Sequence, residues 1–161
     1  MESKVAREVH QIYSTICNML GEAFSLDALV TFTKLHRGKP LLIEQDSMVV
    51  AISGYCLALQ DVDLICTRAG MDKILEQTVQ LHEISHLLLG HIPLLSNGSD
   101  TPSYTTFRQH REEQEGKIYR SHATAYDAPQ EYAAETLATL LLHSILKEEN
   151  SMPSIIEEFF G

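Results

Sequence analysis

His82-Glu83-Ile84-Ser85-His86 sets two imidazoles four residues apart with a carboxylate between them. On an α-helix, positions i and i+4 stand one turn apart and about 40° apart around the axis, so both rings project from one face. Two imidazoles so placed can grip one divalent ion. Glu83 falls beside them, within reach of a water on that ion without being a ligand itself. Nitrogen and oxygen ligands with one position left open suit a catalytic zinc. The chemistry is that of a zinc hydrolase, most often a peptidase. The competing account is a chance match with two structural histidines, so the surrounding residues have to decide.

They favour the metal. A helix is expected from about Met71 to Gly90, with Ile74, Leu75, Val79, Leu81, Ile84, Leu87 and Leu88 at helical spacing and no internal proline. Gly90 and Pro93 stop it. A catalytic zinc takes three protein ligands and leaves the fourth place to water. His91 is the nearest further imidazole, but its five-residue offset from His86 turns it to another face, and a helix-end histidine is the better account. The longer motif H-E-x-x-H-x-x-G-x-x-H asks for glycine and histidine where Leu89 and Ile92 stand. Glu131 and Glu135 form a better pair, at i and i+4 in a run with small neighbours, Ala133 and Ala134, that let two helices come close. One carboxylate can complete the metal site while the other accepts a hydrogen bond from a ligand imidazole. Helix geometry alone does not choose between them, and a solvated acidic face is the alternative.

The elements that must hold these residues follow from periodicity. Val5, Val9, Ile12, Tyr13, Ile16 and Cys17 mark a first helix closed by Gly21. Ser25 caps a second, with Leu26, Leu29, Val30 and Phe32, ended by Gly38 and Pro40. Leu41–Glu44, Gly54–Leu59 and Val62–Thr67 read as short strands, the last two joined as a hairpin through Gln60-Asp61. From Ser96 to Pro129 the chain is polar: Ser96–Ser103 is loop-like, and Arg111–Glu115 is a solvated charged piece with room for a short helix. Helical periodicity returns from Gln130 to about Lys147, and a separate short helix is expected from Pro153 to Phe160. The fold class expected is α+β in a single domain, 1–161: a small three-stranded sheet with N-terminal helices, a metal helix and a C-terminal helix carrying the third ligand.

Composition bounds the partners. The net charge of −10 argues against a direct nucleic-acid-binding surface. Cys17, Cys56 and Cys66, an odd number without paired spacing, point to reduced thiols and a cytoplasmic protein, each thiol serving as a small buried apolar group. No apolar run reaches membrane-spanning length, and Met1-Glu2-Ser3-Lys4 does not open a signal peptide.

Three segments together carry a resemblance: Arg37-Gly38-Lys39-Pro40, the run from His82 to His91, and Gln130-Glu131-Tyr132-Ala133-Ala134-Glu135-Thr136-Leu137-Ala138. From about Arg37 to Leu142 the chain resembles the ImmA/IrrE family of zinc metallopeptidases, whose core is H-E-x-x-H followed by a later E-x-x-A-[N/D/E]-x-[F/L]-A helix. The resemblance implies a zincin-like fold, zinc on His82, His86 and Glu131, and Glu135 at the family's Asn/Asp position beside the ligands. It departs from the family at Ser85, where glycine is usual, and in a longer separation between the two motifs, which would form a lid. No helix-turn-helix segment is attached.

On this reading zinc would acidify its bound water, Glu83 would act as general base, and a further donor would stabilise the tetrahedral oxyanion. Tyr126 is the first choice for that donor, with His122, Tyr104, Tyr119 and His110 in the same connection as others. A peptide substrate would align along the edge of the Gly54–Leu59 strand. The family implies a protein substrate that is a DNA-binding, helix-turn-helix transcriptional repressor, cut to relieve repression under stress. A regulatory or toxin–antitoxin partner with structural zinc is the alternative. A zinc hydrolase of small molecules is a third.

Overall fold

The computed structural model describes residues 3–47, 52–91, 101–110 and 125–160, the last ten by backbone alone. Two capped helices open the chain. The Ser3 hydroxyl accepts the Ala6 N–H at 3.1 Å to start α1 (Lys4–Leu20), and Ser25 does the same for Ala28 at 3.1 Å at α2 (Leu26–Arg37). Gly38, at φ 68°, ends α2 in the left-handed conformation that glycine enters without steric cost.

Three strands follow: β1 (Leu41–Asp46), β2 (Gly54–Ala58) and β3 (Asp63–Arg68), in the order β1-β3-β2. β2 and β3 form the antiparallel hairpin expected, and β1 pairs in parallel with the far side of β3. The sheet is therefore mixed, with β2 at one edge. Register decides what each face covers. Ile43, Ile65 and Cys56 stand abreast on one face, which joins residues of all four long helices in the main core. Glu44, Cys66 and Tyr55 stand abreast on the other.

That second face is covered by α4 (Tyr104–Gln109), a helix the sequence pattern did not announce. Its anchor is Phe107, fully buried against Tyr55, Leu59, Leu64 and Cys66. Six residues with one buried anchor carry too little periodicity to be read as a helix. The last helix, α5, runs from Ala128 to Phe160, so the separate helix expected at Pro153 is part of one continuous element. No glycine interrupts the chain between Lys147 and Pro153. Proline inside a helix removes one backbone donor and crowds the carbonyl four residues back, which weakens or bends a helix without always ending it. The Arg111–Glu115 segment lies outside the described residues. The protein is thus α+β, with five helices among the described residues and a three-stranded sheet. None of those helices is long and apolar enough to cross a membrane.

Two local arrangements fix the sheet against the helices. The Asp63 carboxylate, only 1% exposed, takes both arms of Arg37 at 2.9 and 3.1 Å, while Lys39 Nζ donates to the Leu59 carbonyl at 2.6 Å. The Arg37-Gly38-Lys39 run therefore ties the end of α2 to both strands of the hairpin, and the buried carboxylate is matched by a bidentate cation. On the far side Gly54 lets β2 approach α3 (Lys73–Leu89): a Cβ there would lie 2.4 Å from Val79 Cγ1 and 3.1 Å from the Cys66 carbonyl. Gly54→Ala is expected to lower stability by about 1–3 kcal/mol through overpacking. Urea denaturation checks this, and an unchanged midpoint would mean that the helix gives way freely.

Candidate metal centre

α3 starts where the Asp72 carboxylate accepts the Leu75 N–H at 2.9 Å, and it ends at Gly90, φ 68°. Val79, Leu81, Ile84, Leu87 and Leu88 are buried, as are Glu83, Ser85 and His86, so the helix is enclosed on most of its surface. Ser85 is fully buried, and its hydroxyl donates to the Leu81 carbonyl at 2.7 Å. The serine thus fits without an unsatisfied group.

α5 opens with a reciprocal cap. Asp127 accepts the Gln130 N–H at 2.8 Å, and the Gln130 side chain accepts the Asp127 N–H at 3.2 Å. This cap sets Glu131 one residue later, in the first turns. Ala133 and Ala134 are buried, so α5 packs closely on α3.

The two helices bring His82, His86 and Glu131 together, the group of side chains among the described residues able to hold a metal ion. His82 Nε2 and His86 Nε2 lie 3.2 Å apart. Each lies 3.2 Å from an oxygen of Glu131, His82 from Oε2 and His86 from Oε1. Zinc bonds of about 2.0–2.1 Å in a tetrahedron place neighbouring donor atoms about 3.3 Å apart. Each separation is close to that edge, with the two imidazoles facing different oxygens of the Glu131 carboxylate, so donor chemistry and spacing fit a zinc ion. The carboxylate side is open, with Glu131 45% and His82 22% exposed, whereas His86 is buried.

The outer contacts leave both Nε2 lone pairs free for an ion. His82 Nδ1 lies 3.4 Å from Glu135 Oε2, on the side of the ring away from the cluster. His86 Nδ1 lies 2.9 Å from His91 Nδ1. Burial first, and then His82 and His91, push His86 down to about 3, so it is a neutral imidazole at ordinary pH. His91 is likewise lowered, chiefly by burial. His91 is not in the donor group.

Glu83 is buried beside the cluster. Burial, with the charge of Glu131 adding to it, raises its carboxyl to about 8, against an opposing hydrogen bond from the Cys56 thiol. Its Oε2 has no hydrogen-bond partner. Cys56, expected only as apolar packing, faces this site from β2. Its sulfur lies 3.4 Å from the Tyr126 hydroxyl, and its thiol is raised by burial and by Glu83. Tyr126 stacks flat on His86, with ring centres 3.7 Å apart and planes at 9°. Burial, then Cys56, raises its hydroxyl well above the usual range.

Of the other donors considered from sequence, Tyr104 hydrogen-bonds Glu44 on the opposite face of the sheet, away from Cys56. His110 closes α4. His122 and Tyr119 lie outside the described residues. The sequence signals missed were the alternation along β2, which turns Cys56 to the same face as Gly54, and the Gly90 turn, which folds His91 back.

No protein-family model matches the chain, and neither a curated protein nor a solved structure matches it. Fold and site together define an α+β protein in which two packed helices present a two-histidine, one-glutamate donor set.

Proposed function

We propose that the protein is a zinc-dependent metalloendopeptidase with a zincin-like core, of the ImmA/IrrE type. The observation that carries this reading is the meeting of His82 and His86 Nε2, 3.2 Å apart, with the Glu131 carboxylate, one oxygen 3.2 Å from each nitrogen, beside a buried, half-partnered glutamate. Zinc held by His82, His86 and Glu131 would supply the Lewis-acid chemistry that polarises a carbonyl and acidifies water. Glu83 Oε2 would accept a proton from the attacking water and hand it to the amine nitrogen as the C–N bond breaks. Burial strengthens its hold on a proton, and a nearby cation offsets this, bringing the group toward working pH. Glu135 holds His82 by its Nδ1 side. Tyr126, seated on the face of His86, donates to the oxyanion when its hydroxyl turns from Cys56.

An extended peptide fits the edge of β2, the strand that carries Cys56 into the site, where main-chain hydrogen bonds would hold it. The substrate we propose is a cytoplasmic helix-turn-helix repressor, cut to relieve repression. The test is to incubate the zinc-loaded protein with the product of the neighbouring gene as the candidate substrate. Cleavage at one position is expected, lost with 1,10-phenanthroline and restored by added zinc. An intact repressor, or cleavage that survives chelation, would overturn the proposal.

A further inference from the structure

We propose that His91 is the positioning residue for the ligand His86, holding it in the tautomer that offers Nε2 to a metal. The inference rests on the metal reading above but not on proteolysis.

The geometry begins with the end of α3. Gly90 N–H bonds to the Leu87 carbonyl at 3.1 Å, and His91 N–H bonds to the His86 carbonyl at 3.0 Å. These are the two bonds of a Schellman turn, with glycine at the first residue past the helix. Such a turn brings the second residue past the end back against the third residue before the last helical one, and here that pair is His91 and His86. The pair is usually an apolar contact. In this chain it is two imidazoles with Nδ1 atoms 2.9 Å apart. The five-residue offset that disqualifies His91 as a ligand is the offset this turn requires.

The proton between them is assigned by the other end of the ring. His86 Nε2 faces His82 Nε2 and Glu131 Oε1, each at 3.2 Å, so a metal takes the Nε2 lone pair. A neutral His86 then carries its hydrogen on Nδ1 and donates it, and His91 Nδ1 accepts. The opposite tautomer would put a hydrogen where the ion belongs. His82 has a carboxylate, Glu135, on its Nδ1 side; His86 has an imidazole instead. Tyr126 stacks on the face of the His86 ring and fixes its plane, whereas a hydrogen on Nδ1 points along the ring plane, where His91 Nδ1 lies 2.9 Å away.

The test reads zinc affinity of the full-length protein by competition with a chromophoric chelator, and the d–d spectrum of the cobalt-loaded form. His91→Ala is expected to weaken zinc binding roughly 10- to 100-fold, as loss of an outer partner does. His91→Phe, which fills the space without an acceptor, is expected to stay weak and to shift the cobalt bands. His91→Asn, which returns an acceptor oxygen, is expected to recover most of the affinity. Thermal melts of the metal-free variants verify that each is folded. Full affinity in a folded His91→Phe protein would overturn the proposal, as would failure of a folded His91→Asn to bind better than His91→Phe. A wild-type protein that binds no zinc would overturn both this inference and the metal reading beneath it, whereas a failed cleavage assay bears on the peptidase reading alone.

Discussion

On the proposed function, Glu83→Gln is expected to keep zinc and to lose cleavage of a repressor substrate by roughly 100- to 10,000-fold in kcat, the range general-base catalysis supplies. That corresponds to about 3–5 kcal/mol of barrier. The substitution removes basicity at nearly constant shape. Glu83 is not among the three donors, so the metal content should hold. In the metal-free protein the carboxyl, raised to about 8, is already mostly protonated at neutral pH, so a neutral amide replaces a neutral acid and the fold should survive. The carboxylate's other oxygen has no partner in the folded protein, an arrangement that costs about 1–3 kcal/mol when nothing is gained from it. A single-turnover assay at matched zinc occupancy separates base loss from metal loss. Turnover within a few-fold of wild type would remove Glu83 from the reaction.

Much of the framework was legible because its signals are local. Ser25 and Gly38 bracket α2, Gly90 ends α3, and the short apolar runs of β2 and β3 lie on either side of a two-residue turn. The spacing of His82, Glu83 and His86 is likewise a property of one helix. The rest depends on contacts between distant segments. Parallel pairing of β1 with β3 leaves no mark in either strand alone. α4 is held by one phenylalanine inserted against the sheet, and six residues cannot display a period. The helix across Pro153 shows a rule that works only with a second signal, since no glycine accompanies that proline. Cys56 was read as an apolar residue because its approach to Tyr126 links positions 70 apart in the chain. The third ligand sits between these cases. Helical spacing reduced it to Glu131 or Glu135, the resemblance favoured Glu131, and the packing of α5 on α3 sets that carboxylate against both Nε2 atoms.

That placement sets the last expected result: Glu131→Ala should cost far more zinc affinity than Glu135→Ala. Glu131 places Oε2 3.2 Å from His82 Nε2 and Oε1 3.2 Å from His86 Nε2, whereas Glu135 reaches only the outer nitrogen of His82, at 3.4 Å, and is 75% exposed. Structural zinc sites bind with about 10–16 kcal/mol over four ligands, or about 3 kcal/mol for each, which is a loss of roughly 100-fold or more for a missing ligand. An outer partner is worth roughly 10- to 100-fold, and one this exposed belongs at the low end, because water replaces it readily. Chelator competition on the two variants therefore orders them by at least roughly tenfold. The ordering is more telling than either value, since both substitutions remove one carboxylate from the same helix and change the net charge equally. If Glu135→Ala proved the more damaging, α5 would have to turn on α3 to bring that carboxylate inward, and the small residues Ala133 and Ala134 would no longer explain the contact.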